Sequence, residues 1–253
     1  MKRVALVALL TLTTGSGLFA IQLCTSYTNL TAAALQGLGP TGCKFGDKIF
    51  YNFTYSYILQ DENGVFAGDA DSPMVDASSV HIQFSNLGGN PLNPVVSFLG
   101  PWLVSHGVQG DIRLQYNVMA PPANAMVYSS LGAFGFVSNW DPDNDFSSSI
   151  LVAETVCCPG GNSVSLTTAL TAPLTQTGPL FTSGGDGQAY APVTVITVAK
   201  DIFLDSGTGA NTVTLTRIDQ GLLEIPEPLS FVLFGSGLIA VGLLCMRRNR
   251  KRA

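Results

Sequence analysis

The chain has 253 residues, of which 46% are hydrophobic and 11% charged, enough for one large domain or two small ones. Its 17 acidic and 12 basic residues leave a net charge of −5, and the two signs are segregated along the chain. Between residues 21 and 228 only Lys44, Lys48, Arg113, Lys200 and Arg217 are basic, against all 17 acidic residues, a net charge of −12 that repels phosphate backbones and excludes nucleic acid as a partner.

Residues 1–20 have the layout of a secretory signal peptide. Lys2 and Arg3 precede an apolar run from Val4 to Leu12 and a small-residue stretch from Thr13 to Gly17. Cleavage after Ala20 fits the last position, and cleavage after Gly17 is the alternative, because Leu18 is bulky. A lipoprotein site at Cys24 is excluded by the bulk of Leu23.

From Ile21 the chain is mixed in character until Lys44. The run T-A-A-A-L-Q-G-L-G predicts one or two helical turns ended by Gly37. Strand signals follow. Ile49, Tyr51, Phe53, Tyr55, Tyr57 and Leu59 alternate with Asn52, Thr54 and Ser56, which predicts a strand with one buried face. Asp61–Gly64 is a turn signal, since its Asn-Gly pair readily takes positive φ. Further strands are predicted at Val80–Phe84, Val95–Leu99, Ile112–Val118, Ala133–Val137, Ile150–Val156, Val164–Leu166, Val193–Leu204 and Val213–Leu215. Clusters of Gly, Pro, Asn and Asp separate them, and Ser183–Gly187 (S-G-G-D-G) reads as a flexible loop. About nine or ten short strands without an extended amphipathic helix predict an all-β fold, an antiparallel β-sandwich over residues 21–223. Gly221–Glu224 then reads as a linker.

Five cysteines are present. Cys245 lies in an apolar run, leaving Cys24, Cys43, Cys157 and Cys158 as disulfide candidates. Four cysteines allow three pairings. Cys24–Cys43 is favoured, because it ties the start of the mature chain to the first long strand. A loop of that size contributes roughly 3 kcal/mol by the chain-entropy model. The adjacent Cys157 and Cys158 either form a reducible vicinal bridge or remain thiols.

No complete catalytic motif is found, and the domain is read as a non-enzyme without cofactor. His81 and His106 are the sole histidines, and neither stands in a recognisable triad arrangement. Asp141, Asp143 and Asp145 alternate as in a calcium loop, but Phe146 and Val152 occupy the positions where an EF-hand needs Gly and Glu. A looser calcium site and a plain acidic turn are the two readings, and Asp69 and Asp71 repeat the choice. Trp102 and Trp140, with Tyr51, Tyr55 and Tyr57, are candidates for sugar stacking. The tyrosine ladder shares its phase with Ile49 and Leu59, which favours the core, whereas Trp140 beside the acidic turn is the exposed candidate.

The C-terminal 30 residues are the most specific stretch. Pro226-Glu227-Pro228 precedes 18 uncharged residues, Leu229 to Met246, which span roughly 27 Å as a helix. Arg247, Arg248, Arg250, Lys251 and Arg252 follow, so the positive-inside rule places residues 247–253 in the cytoplasm and the acidic domain outside. The two prolines hold the backbone extended ahead of the span.

This order of tripeptide, apolar span and arginine cluster resembles the PEP-CTERM sorting domain of bacterial exported proteins. Residues 43–55, 111–118 and 154–158 (E-T-V-C-C) also look like a recurring, uncharacterised companion domain of that family. The resemblance implies recognition of Pro226, Glu227, Pro228, Arg247 and Arg248 by an exosortase, a membrane protease, and an association with exopolysaccharide. The expectation is an exported protein, held in the inner membrane and then released to the cell surface or matrix, with a structural or matrix-associated role. The alternative is a secreted carbohydrate-active enzyme or calcium-dependent carbohydrate binder on the same anchor.

Overall fold

The computed structural model describes residues 21–26, 29–61, 63–66, 68–90, 93–138, 148–157, 163–171, 180–207 and 211–224. The signal segment, Trp140, Asp141, Asp143, Asp145, Cys158 and the tail with Pro226, Glu227, Pro228, Arg247 and Arg248 lie outside them. Among the described residues no helix is long and apolar enough to cross a membrane.

One short helix, α1 (Ala32–Leu38), precedes the strands. Thr31 caps it, its Oγ1 accepting from the Ala34 amide at 3.2 Å. The helix runs one residue past Gly37, and Gly39 ends it at φ 52°. Twelve strands follow among the described residues: β1 (Cys43–Phe45), β2 (Lys48–Asp61), β3 (Gly64–Phe66), β4 (His81–Asn86), β5 (Pro94–Ser105), β6 (Gln109–Met119), β7 (Met126–Ser138), β8 (Ser149–Cys157), β9 (Ser163–Thr171), β10 (Leu180–Val193), β11 (Val195–Asp205) and β12 (Thr212–Glu224).

The strands form two antiparallel sheets, confirming the sandwich. The front sheet has the order β1-β2-β6-β11-β8-β9, with β3 also on β2, and the back sheet has the order β10-β7-β12-β5-β4. Strands β5 to β12 alternate between the sheets except for the β8–β9 hairpin, so that β6-β11-β8-β9 faces β5-β12-β7-β10. That is the double Greek key of a jelly roll, in which β1 to β4 extend one side. The core between the sheets is mainly apolar, with Phe50, Phe98, Trp102, Ile112, Val152, Val198, Ile202, Leu215 and Ile218 fully buried. Phe53 stacks on Tyr116 at 5.0 Å between ring centroids. Cys24 and Cys43 are disulfide-bonded, as the cysteine count suggested, pinning the N-terminal segment to β1.

Three sequence expectations change. The alternation in β2 is broken by a bulge between Tyr51 and Thr54, where Asn52 takes φ 55°. Phe53, Tyr55, Tyr57 and Leu59 therefore point inward, but Ile49 and Tyr51 point outward and Lys48 and Phe50 enter the core. The tyrosines are thus not one ladder. Ser183–Gly187 is not a loop but the middle of β10, paired with residues 130–134 of β7. A side chain at Gly187 would collide with the Tyr128 ring, so the glycine lets the two strands pair closely. Finally, Gly221–Glu224 is not a linker. It is the end of β12, with Leu222 and Glu224 buried.

Candidate functional site

The outer face of the front sheet carries a shallow depression of about 540 Å³. The register explains its shape. Thr54, Gln115, Ala199 and Thr155 form one row of cross-strand neighbours, and Ser56, Arg113, Asp201 and Ala153 form the next. Small residues on β8 and β11 make the floor, and the longer side chains of β6 make a wall. Polar side chains face solvent here because Ile112, Leu114 and Tyr116 of β6 take the opposite, buried positions.

Arg113 and Asp201 carry the side-chain charge of the trough, and Asp111 stands beside them on β6. Arg113 holds Asp111 at 3.1 Å and Asp201 at 3.7 Å. Burial raises the Asp111 carboxyl above the ordinary carboxylate range, and the hydrogen bond and negative charge of Asp201 raise it further, against the pull of Arg113. The two carboxyls are therefore electrostatic neighbours on either side of one guanidinium.

A second depression of about 320 Å³ is lined by Ile21, Pro40, Thr41, Ile49, Tyr51 and Met119. It exists because the bulge turns Ile49 and Tyr51 outward.

The remaining candidates are dispersed. Trp102 is buried and donates its indole N–H to the Tyr55 hydroxyl at 3.0 Å, and that hydroxyl donates to the Val75 carbonyl at 2.9 Å. Trp102, Tyr55 and Tyr57 are core residues, with burial pushing both phenols up. His81 is exposed on β4, whereas His106 sits in a turn at φ 54° with Nδ1 at 3.1 Å from Ser105 Oγ. Ser105 Oγ in turn donates to the Asp71 carbonyl at 2.9 Å, so the hydroxyl beside His106 is bonded to the backbone. Asp69 Oδ1 accepts from the amides of Asp71 and Ser72, the local capping that an acidic turn provides. Among the described residues no group of three or more His, Cys, Asp or Glu is placed to hold a metal ion. Cys157 is a free, exposed thiol at the end of β8.

The trough residues had a signal in sequence. Asp111, Arg113 and Gln115 occupy alternate positions of one strand, so period two places them on one face. What the sequence did not show is which strands flank β6, and so that Asp201 and Thr54 join them.

No family model matches the chain, and no curated protein matches it. Solved structures do. A carbohydrate-binding module described as TmCBM61 in complex with β-1,4-galactotriose overlaps 68% of this chain and 88% of its own length, at 14% identity and a TM-score of 0.34. A module described in terms of mannan recognition, TmCBM27, overlaps 69% of this chain and 97% of its own, at 6% identity and a TM-score of 0.27. The Eiger TNF of S. frugiperda overlaps 68% and 92%, at 10% identity and a TM-score of 0.26. At overlaps this loose none of the three assigns a ligand to this chain.

Proposed function

We propose that this is an exported surface protein whose jelly-roll domain contacts polysaccharide through the trough on its front sheet. The observation that carries the reading is the pair of cross-strand rows, Thr54-Gln115-Ala199-Thr155 and Ser56-Arg113-Asp201-Ala153. Hydroxyls, an amide, a guanidinium and a carboxylate converge there on a floor of small residues, a donor and acceptor set suited to sugar hydroxyls. The trough is shallow and its polar groups come from β-strands, a rigid support for binding.

A binding role is favoured over glycoside hydrolysis. A retaining pair of carboxyls stands about 5 Å apart and an inverting pair farther, to leave room for the sugar or a water. Asp111 and Asp201 both face the Arg113 guanidinium, at 3.1 and 3.7 Å, as ion-pair partners rather than as a separate acid and nucleophile. The test is affinity electrophoresis of the full chain through gels containing isolated cell-surface polysaccharide. The parent is expected to be retarded, and Arg113→Ala combined with Gln115→Ala to migrate freely while keeping its fold. Equal retardation of both proteins would remove the trough from consideration.

The C-terminal segment is proposed to be the PEP-CTERM sorting signal that its motif order resembles, cut by an exosortase. Supporting this, the last strand among the described residues ends at Glu224, two residues ahead of Pro226 in sequence. Mass spectrometry of the mature protein from its native surface is expected to find Arg247–Arg252 removed. An intact arginine cluster would refute processing.

A further inference from the structure

Four buried side chains close a ring between the two sheets. Lys200 of β11 meets Glu154 of β8, its direct neighbour in the front sheet. Lys200 Nζ also lies 2.5 Å from Gln220 Oε1 of β12, in the back sheet. Gln220 Nε2 donates to Ser129 Oγ of β7, and Ser129 Oγ donates to Glu154 Oε1 at 3.3 Å. All four residues are almost fully excluded from solvent, and Tyr116, also fully buried, stands in the field of Glu154. The polysaccharide reading makes no use of this ring.

We propose that Lys200 and Gln220 form an intramolecular isopeptide bond that cross-links the two sheets, with Glu154 and Ser129 as its proton relay. Desolvation disfavours the ammonium form of Lys200 and lowers its pKa, as expected for an amine that must become nucleophilic. Lys200 Nζ gives a proton to Glu154. Its freed lone pair forms the bond to Gln220 Cδ, and the C=O π electrons move to Oε1. Ser129 passes a proton to Gln220 Nε2 and is replenished by Glu154, whose freed carboxylate takes the second proton from the Lys200 nitrogen. The C=O bond re-forms as the Cδ–Nε2 bond breaks, and ammonia leaves. One amine and one carboxamide become one secondary amide and one ammonia, with no oxidant or reductant.

The geometry favours Gln220 over Glu154 as the acyl partner. A neutral carboxamide is a better electrophile than a carboxylate that balances the ammonium. The Gln220 carbonyl oxygen faces the amine, and its nitrogen, the leaving group, already bonds to the hydroxyl that can protonate it. Fixing these groups in a buried ring makes the reaction unimolecular, where effective molarities of about 10⁵ M and above become accessible. The bond would tie β12 to the opposite sheet four residues before its end at Glu224.

The experiment is intact-mass spectrometry of the full chain, purified in detergent with the disulfide reduced, followed by peptide mapping. The expected result is a deficit of one ammonia and a branched peptide joining the Lys200 and Gln220 fragments. Glu154→Gln should be folded by circular dichroism and lack the deficit. Should that variant fail to fold, the parent's peptide map alone decides. A parent at its full sequence mass when folded, or a deficit of one water mapping to Lys200 and Glu154, would overturn the proposal.

Discussion

Lys48 and Glu224 form an ion pair in which neither side chain is exposed, joining β2 of the front sheet to the last residue of β12 in the back sheet. Asp47 Oδ1 also approaches Lys48, at 3.1 Å. Desolvation lowers the Lys48 pKa, and Asp47 opposes that shift. A buried pair of this kind contributes little net stability, yet removing one partner strands the other without water. Lys48→Met is therefore expected to cost about 3–5 kcal/mol in urea unfolding. Lys48→Met with Glu224→Leu should recover most of the loss. A double variant as unstable as the single would show that the lysine acts through something other than this pair.

The reason Lys48 enters the core at all is Asn52. The bulge shifts the phase of β2, so even positions point inward before it and odd positions after it. Asn tolerates the left-handed conformation better than a β-branched residue does. Asn52→Gly should be neutral within about 0.5 kcal/mol, the range of an inconsequential substitution. Asn52→Val should cost about 1–3 kcal/mol, the scale of a strained backbone position. Chemical denaturation of the two variants checks this, and equal stability would mean that the bulge does not depend on Asn52.

That bulge also marks the limit of what the sequence disclosed. Period-two patterning located β2, β4, β6 and the start of β12, where apolar and polar residues alternate. It failed where a single residue reverses the phase, turning Tyr51 outward and Lys48 inward. It failed at β10 because glycine-rich pairing against β7 has no apolar rhythm. Within the candidate site, β6 displayed Asp111, Arg113 and Gln115 on one face, but their partners come from strands distant in sequence. Asp201 stands beside Arg113 through long-range register alone. The ring of Lys200, Glu154, Ser129 and Gln220 was hidden for the same reason: one residue comes from each of four strands.

The Cys24–Cys43 bridge closes a loop of 19 residues' separation that carries α1. Replacing both cysteines with alanine should cost about 2–4 kcal/mol, as expected for a loop of this size. The back sheet should remain folded when the bridge is reduced, because β4, β5, β7, β10 and β12 pair without it. Hydrogen exchange checks this: reduction should increase exchange around α1 and β1 far more than in β12. Uniform acceleration would indicate that the bridge supports the whole sandwich.

The Asp111–Asp201 contact gives the trough a defined pH response. The folded pKa of Asp111 is raised, so between the unfolded and folded values the native state binds more protons than the unfolded one. The stability tied to that proton is fully present below the unfolded value, about 4 for a carboxylic acid, and is lost as pH rises through the folded value. At neutral pH the two charges repel, with Arg113 compensating in part. Asp111→Asn removes one charge and keeps a hydrogen-bond donor for Asp201. Its melting temperature should exceed the parent's at neutral pH, and the gap should close as pH falls below about 4, where the parent's carboxyl is protonated in both states. A gap that stays constant from acid to neutral pH would show that the substitution acts through packing and not through protonation of Asp111.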